Sequence, residues 1–234
     1  MPYYYYGFDW TYIFIIIGAV ISMAASAKVQ STYRKYARVD SMSGMTGAMA
    51  VQEILRRNNI FDVTVAQTSG YLSDHYDPRT KQIRLSDATY GSCSVAAIGV
   101  AAHECGHVLQ HHTGYVPLSI RTALVPVANI GTSAGLWIVM LGIIFGLADI
   151  LITIGIVLFS MGVLFQLVTL PVEFNASSRA LKMLNDYNIL RGEELKKSRS
   201  VLFAAALTYV AAALASILSL LRLILLANRR NGRR

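Results

Sequence analysis

The chain has 234 residues, 54% of them hydrophobic and only 15% charged, with a mean hydropathy of +0.47. Soluble domains carry about a quarter charged residues, so this composition excludes an ordinary water-soluble globule and implies apolar surface buried in lipid. The net charge of +8 does not imply a nucleic-acid partner, because Lys and Arg gather at the ends of apolar runs as positive-inside flanks.

Residues 10–27 (WTYIFIIIGAVISMAASA) are long enough to cross a bilayer once. Ala25-Ser26-Ala27 imitates a signal-peptidase site. However, the preceding MPYYYYGFD holds no basic residue, and Lys28, Arg34, Lys35 and Arg38 follow. That is the charge pattern of a retained anchor (residues 1–27) with its N-terminus outside, and Tyr3 to Tyr6 and Trp10 then belong to the interfacial aromatic belt.

Residues 28–121 are polar enough to fold outside the membrane. Ser43 to Asn58 has helical periodicity, with Met45, Ala48, Met49, Val51, Ile54 and Leu55 facing inwards. Val63 to Val65, Tyr71 to Tyr76 and Gln82 to Ser86 read as strands, the last two forming a hairpin through Asp77-Pro78-Arg79-Thr80. Gln82 to Ser86 is expected at an edge, where an extended peptide could pair with it. Residues 94–113 form a further helix, which Gly114 can terminate.

Apolar runs at 122–146 and 150–171, split by Gly146-Leu147-Ala148-Asp149, read as a transmembrane hairpin (residues 122–171). Gly131-x-x-x-Gly135 and Gly142-x-x-x-Gly146 let its helices pack closely, and Pro126 is expected to bend or start the first arm. Residues 172–200 are polar and basic. The last segment, 201–234, is an apolar run to residue 227 and a basic tail of Arg229, Arg230, Arg233 and Arg234, and whether the run spans is left open. If the N-terminus is outside, residues 28–121 and 172–200 both lie on the cytoplasmic side, consistent with their basic character.

The chemistry-bearing stretch is His103-Glu104-Cys105-Gly106-His107. Residues i and i+4 share a helix face, so both imidazoles can reach one metal ion, while Glu104 stands about 100° around the helix, near enough to a water on it. Such a set suits one zinc ion and hydrolysis with Glu104 as general base. Cys105 points away, as a buried thiol would. A catalytic zinc takes three protein ligands. The metzincin pattern fails, because Gln110 and Thr113 stand where it needs Gly and His. His111 lies a further turn along the helix, and His75 reads as a surface histidine. Glu173, just after Pro171, opens the helical stretch EFNASSRALKML and is two spans away, hence on the same side as the His pair. It is the expected third ligand rather than only a carboxylate favoured at a helix N-terminus. For oxyanion stabilisation Arg179, His75, His111 and Tyr187 offer the right donors, with Arg179 first.

HECGHVLQ, the upstream YDP…IRLS, the following YVPLSIR…LVPVANIG, and PVEFNASSRALKML together resemble the YugP-type bacterial membrane zinc metallopeptidases (the neutral zinc metallopeptidase 2 family), over about residues 30–215. That group is similar to the gluzincin membrane proteases that include the prenyl-protein endopeptidases. The resemblance implies His103, His107 and Glu173 as zinc ligands and Glu104 as catalytic acid/base. The prenyl-protease relatives carry an Asp four residues beyond the ligand Glu; this chain has Ser177 there, leaving Asn175 or Ser177 to replace it in part.

The expected fold is mainly α: an α-helical integral membrane protein of three to four transmembrane helices with a small α+β zincin-like extramembrane domain. The expected function is a membrane-embedded zinc endopeptidase, multi-pass in a bacterial cell membrane, with peptide or membrane-protein substrates and no nucleic-acid partner. The competing reading is a non-catalytic membrane scaffold with a structural zinc, against which an intact Glu104 argues. Metal transport would need polar ligands inside the spans, where only Asn129, Gln166 and a few hydroxyls occur.

Overall fold

The computed structural model describes residues 9–145 and 149–231. Its elements in chain order are α1 (Tyr12–Tyr36), α2 (Gly47–Arg57), β1 (Thr64–Thr68), β2 (His75–Asp77), β3 (Gln82–Ser86), α3 (Asp87–Tyr90), α4 (Val95–His112), α5 (Val116–Ile144), α6 (Asp149–Asp186) and α7 (Glu193–Asn231). This is a mainly α membrane protein. Among the described residues α1, α5, α6 and α7 are each long and apolar enough to cross a bilayer. Tyr3 to Tyr6, Gly146 to Ala148, Arg233 and Arg234 lie outside the described residues.

Two compact units divide the chain. One comprises residues 1–24, 121–167 and 210–234; the other comprises 25–120 and 168–209. In the first, small residues set the packing. Gly131 faces Leu158, Gly135 faces Gly155 and Phe159, and Gly142 faces Ile152, a descending order that makes the α5–α6 hairpin antiparallel. Gly18 of α1 likewise faces Ala215 of α7, while Tyr12 lies 4.3 Å beneath the Arg222 guanidinium. These two helices are therefore antiparallel as well. Arg222 is only 7% exposed, and its Nη2 stands 4.0 Å from Asp9 Oδ2. A desolvated cation over an aromatic face contributes about 2 kcal/mol.

In the second unit, Thr46 caps α2 by accepting the Met49 N–H at 3.2 Å. Ala48, Val51, Ile54 and Leu55 are buried as their spacing requires, but Met49, expected to face inwards, is 51% exposed. The sheet order is β1-β3-β2, with β3 parallel to β1 and antiparallel to β2. Gln82–Ser86 is thus the central strand and not an edge. Its Ile83 and Leu85 are fully buried, as a strand paired on both sides demands. The expected strand at Tyr71 to Tyr76 shrinks to His75–Asp77, because the Asp74 carboxylate accepts both the Ser86 N–H (2.8 Å) and the Ser86 hydroxyl (3.0 Å) where ladder pairing would continue.

The longer helices differ most from their sequence outlines. Pro126 lies inside α5, which starts ten residues earlier at Val116, and Pro171 lies inside α6. Segment 172–200 is consequently no separate helical segment. Residues 172–186 continue the second hairpin arm as one helix, and 193–200 open α7. Proline is tolerated in long apolar helices because neighbouring groups satisfy the freed carbonyl.

Candidate metal centre

Ser94 caps α4 by accepting the Ala97 N–H at 3.2 Å, and Gly114, with φ +59°, follows its end. Between these caps the helix is buried on nearly every side: Ile98, Ala101, Ala102, Cys105 and Val108 all join the core shared with α2, β3 and α6. Burial pushes the Cys105 thiol well above its ordinary pKa, the charge of Glu104 adding to the effect. It is a packing residue.

Gly106 decides how close α6 can come. A Cβ there would run into the carbonyl oxygen of Ala176, so the residue between Cys105 and His107 must lack a side chain for the two backbones to touch. One turn from Ala176 along α6, Glu173 then faces the His pair. Its Oε2 lies 3.2 Å from His103 Nε2 and 3.7 Å from His107 Nε2. All three ligand atoms fall within 4.8 Å of one another. A tetrahedral zinc with bonds of about 2.0–2.1 Å separates its ligand atoms by about 3.3 Å, so the trio fits that ion with small adjustments. Glu173 is 2% exposed, whereas the two imidazole side chains are 16% and 15% exposed, leaving the site open on the histidine side.

The far nitrogens of both rings have partners. Ser177 Oγ lies 3.1 Å from His103 Nδ1, and Gln110 Oε1 lies 3.0 Å from His107 Nδ1. Both Nε2 atoms are thereby directed at the carboxylate. Burial alone would lower the His107 pKa, but the Glu173 carboxylate facing its Nε2 and the charge of Glu104 overcome this and raise it. Glu104, 6% exposed, is near enough for its charge to act on His107.

The remaining expectations fall outside this trio. Arg179 donates from Nε to Asn175 Oδ1 at 2.8 Å and lies 5.8 Å over the Tyr115 ring. Tyr187 sits beneath Arg57. His75 is exposed with Nδ1 2.9 Å from the Ser73 carbonyl, and exposed His111 meets the edge of Tyr76. Sequence reasoning gave Gln110 no role, although it is completely buried and donates from Nε2 to Val172 O at 2.7 Å and Asn175 Oδ1 at 3.0 Å. Its position three residues after His107, on the same face, was the available signal.

The sequence model of the family described as "Putative neutral zinc metallopeptidase" matches residues 11–228. A curated relative, "Putative membrane protease YugP" of Bacillus subtilis (strain 168), is 44% identical over 92% of this chain and 96% of its own length. No solved structure matches the chain.

Proposed function

The chain belongs to the neutral zinc metallopeptidase family, and from that premise we propose that it is a membrane-embedded endopeptidase with one catalytic zinc ion held by His103 Nε2, His107 Nε2 and a Glu173 carboxylate oxygen. The observation that carries this reading is the convergence of those three donors beside a buried glutamate. When bound, zinc supplies a Lewis acid that acidifies water and polarises a carbonyl.

Glu104 accepts the proton of the water that attacks the scissile carbonyl and returns it to the leaving amine. His103 and His107, held through their Nδ1 atoms, present Nε2 without a rotamer search. With β3 central, the peptide-pairing edge is reassigned to β2, which packs on α4 and has β3 as its sheet partner. An extended substrate adding to β2 would run beside Tyr76 and the metal helix.

The basic flanks at Lys28, Arg34, Lys35 and Arg38, and again from Arg179 to Arg199, support a cytoplasmic site. A membrane-impermeant thiol reagent should then label an Arg79→Cys variant only after the cells are permeabilised; labelling of intact cells overturns the assignment.

The purified full chain, loaded with zinc in detergent, should cleave an unfolded protein such as casein. Glu104→Gln should lower cleavage about 10²–10⁴-fold while zinc stays bound. Undiminished cleavage by that variant refutes the role of Glu104. Zinc binding without cleavage by the wild type returns the scaffold reading.

A further inference from the structure

Arg179 stands apart from the donor trio, yet it begins a chain of hydrogen bonds that ends on His107: Arg179 Nε to Asn175 Oδ1 (2.8 Å), Gln110 Nε2 to the same Oδ1 (3.0 Å), and Gln110 Oε1 to His107 Nδ1 (3.0 Å). We propose that Arg179 and Asn175 act through Gln110 as positioning residues that set the tautomer of His107, keeping its Nε2 lone pair free for the metal.

The argument is one of donor and acceptor identity. A guanidinium has only donors, so Arg179 requires the oxygen of the Asn175 carboxamide to face it. That oxygen also faces Gln110, which must therefore present its nitrogen. The Val172 carbonyl, which can only accept, imposes the same orientation on Gln110 at 2.7 Å. With its nitrogen committed to α6, Gln110 can offer His107 nothing but Oε1. A neutral imidazole has one proton, and the nearer acceptor, Gln110 Oε1 at 3.0 Å from Nδ1 against Glu173 at 3.7 Å from Nε2, draws it to Nδ1 and leaves Nε2 as the lone-pair nitrogen. Flipping the Asn175 carboxamide would set N–H against N–H at two contacts, and flipping that of Gln110 would set oxygen against oxygen at two. Because Gln110 has no exposed surface, water cannot repair such a mismatch.

The same bonds tie α4 to the turn of α6 that carries Glu173, since Val172 and Asn175 flank that ligand. This inference rests on the zinc reading above, but the tautomer can be read without the metal.

The experiment uses the full chain in detergent. Nitrogen-15 histidine spectra are recorded on zinc-free protein carrying Glu173→Leu, which removes the carboxylate that competes for the Nε2 proton, at alkaline pH where imidazoles are neutral; zinc binding is followed in chains that keep Glu173. Zinc affinity is measured by competition with a chromogenic chelator. With Arg179, Asn175 and Gln110 intact, His107 should appear there as the single Nδ1–H tautomer. Asn175→Leu and Arg179→Met should show a mixture of tautomers and bind zinc about tenfold more weakly, the usual scale for groups that orient a ligand. Asn175→Asp, which can accept from both neighbours, should retain the wild-type tautomer and affinity, a rescue that a packing role would not give. If Asn175→Leu fails to fold, Asn175→Ala carries the same expectation. An unchanged tautomer and affinity in both disrupting variants overturns the relay. A wild type that binds no zinc instead overturns the metal reading, with the zinc-free spectra still judging the relay.

Discussion

Each residue of the short motif has a separate task. His103 and His107 present Nε2 atoms to a shared carboxylate, Glu104 brings a buried charge, and Cys105 and Gly106 serve packing. Cys105 provides a pH-dependent check. Its raised pKa means that the folded protein keeps the thiol proton at pH values where the unfolded chain has lost it. This contribution to stability is complete below the ordinary thiol pKa and is lost as the pH rises through the elevated one. Raising the pH through the ordinary thiol range should therefore leave Cys105 unlabelled by iodoacetamide in the folded protein, with labelling appearing on unfolding. Mass spectrometry reads the site, with Cys93, only partly buried, as the internal reference.

At the level of elements, the α4–α6 contact makes the site. Gly106→Ala forces a methyl group against the Ala176 backbone, and overpacking of this kind typically costs about 1–3 kcal/mol. The expected result is a lower Tm and weaker zinc binding, because α6 must retreat and take Glu173 with it. Gly91→Ala, where nothing among the described residues lies within 4 Å, should change neither and serves as the control.

The His pair was legible because i, i+4 geometry is local, and Glu173 because two intervening apolar runs return the chain to the same side. Gln110 and the central place of β3 were not legible, and the Ser177 contact to His103 was visible only through the family resemblance. Each depends on which segments meet across long sequence separations, and local periodicity carries no record of that. The same limit explains Met49: periodicity gives a helix its faces, but the extent of the covering partner decides which flanking residues are exposed. Ser177, standing where the resemblance implied a lost carboxylate, does contact an imidazole, though as a neutral group.

For the molecule as a whole, zinc should be a stabilising ligand as well as a catalytic one. Binding to the native state alone adds about 2.7 kcal/mol at a free concentration a hundred times Kd. Chelation should thus lower the Tm of the wild type in detergent, and readdition of zinc should restore it. Glu173→Ala should show a much smaller zinc-dependent shift in the same melting measurement. A wild-type-sized shift in that variant removes Glu173 from the ligand set.

Seventy positions separate His103 from its carboxylate partner, and the α5–α6 hairpin occupies most of the interval. That distance imposes an order on biogenesis. A nascent chain that has emerged only as far as Ile120 already owns both histidines and Glu104, but its third donor has yet to be synthesised. The complete donor set can form only after the hairpin has been made, so the protein's own synthesis delays the maturation of its metal centre.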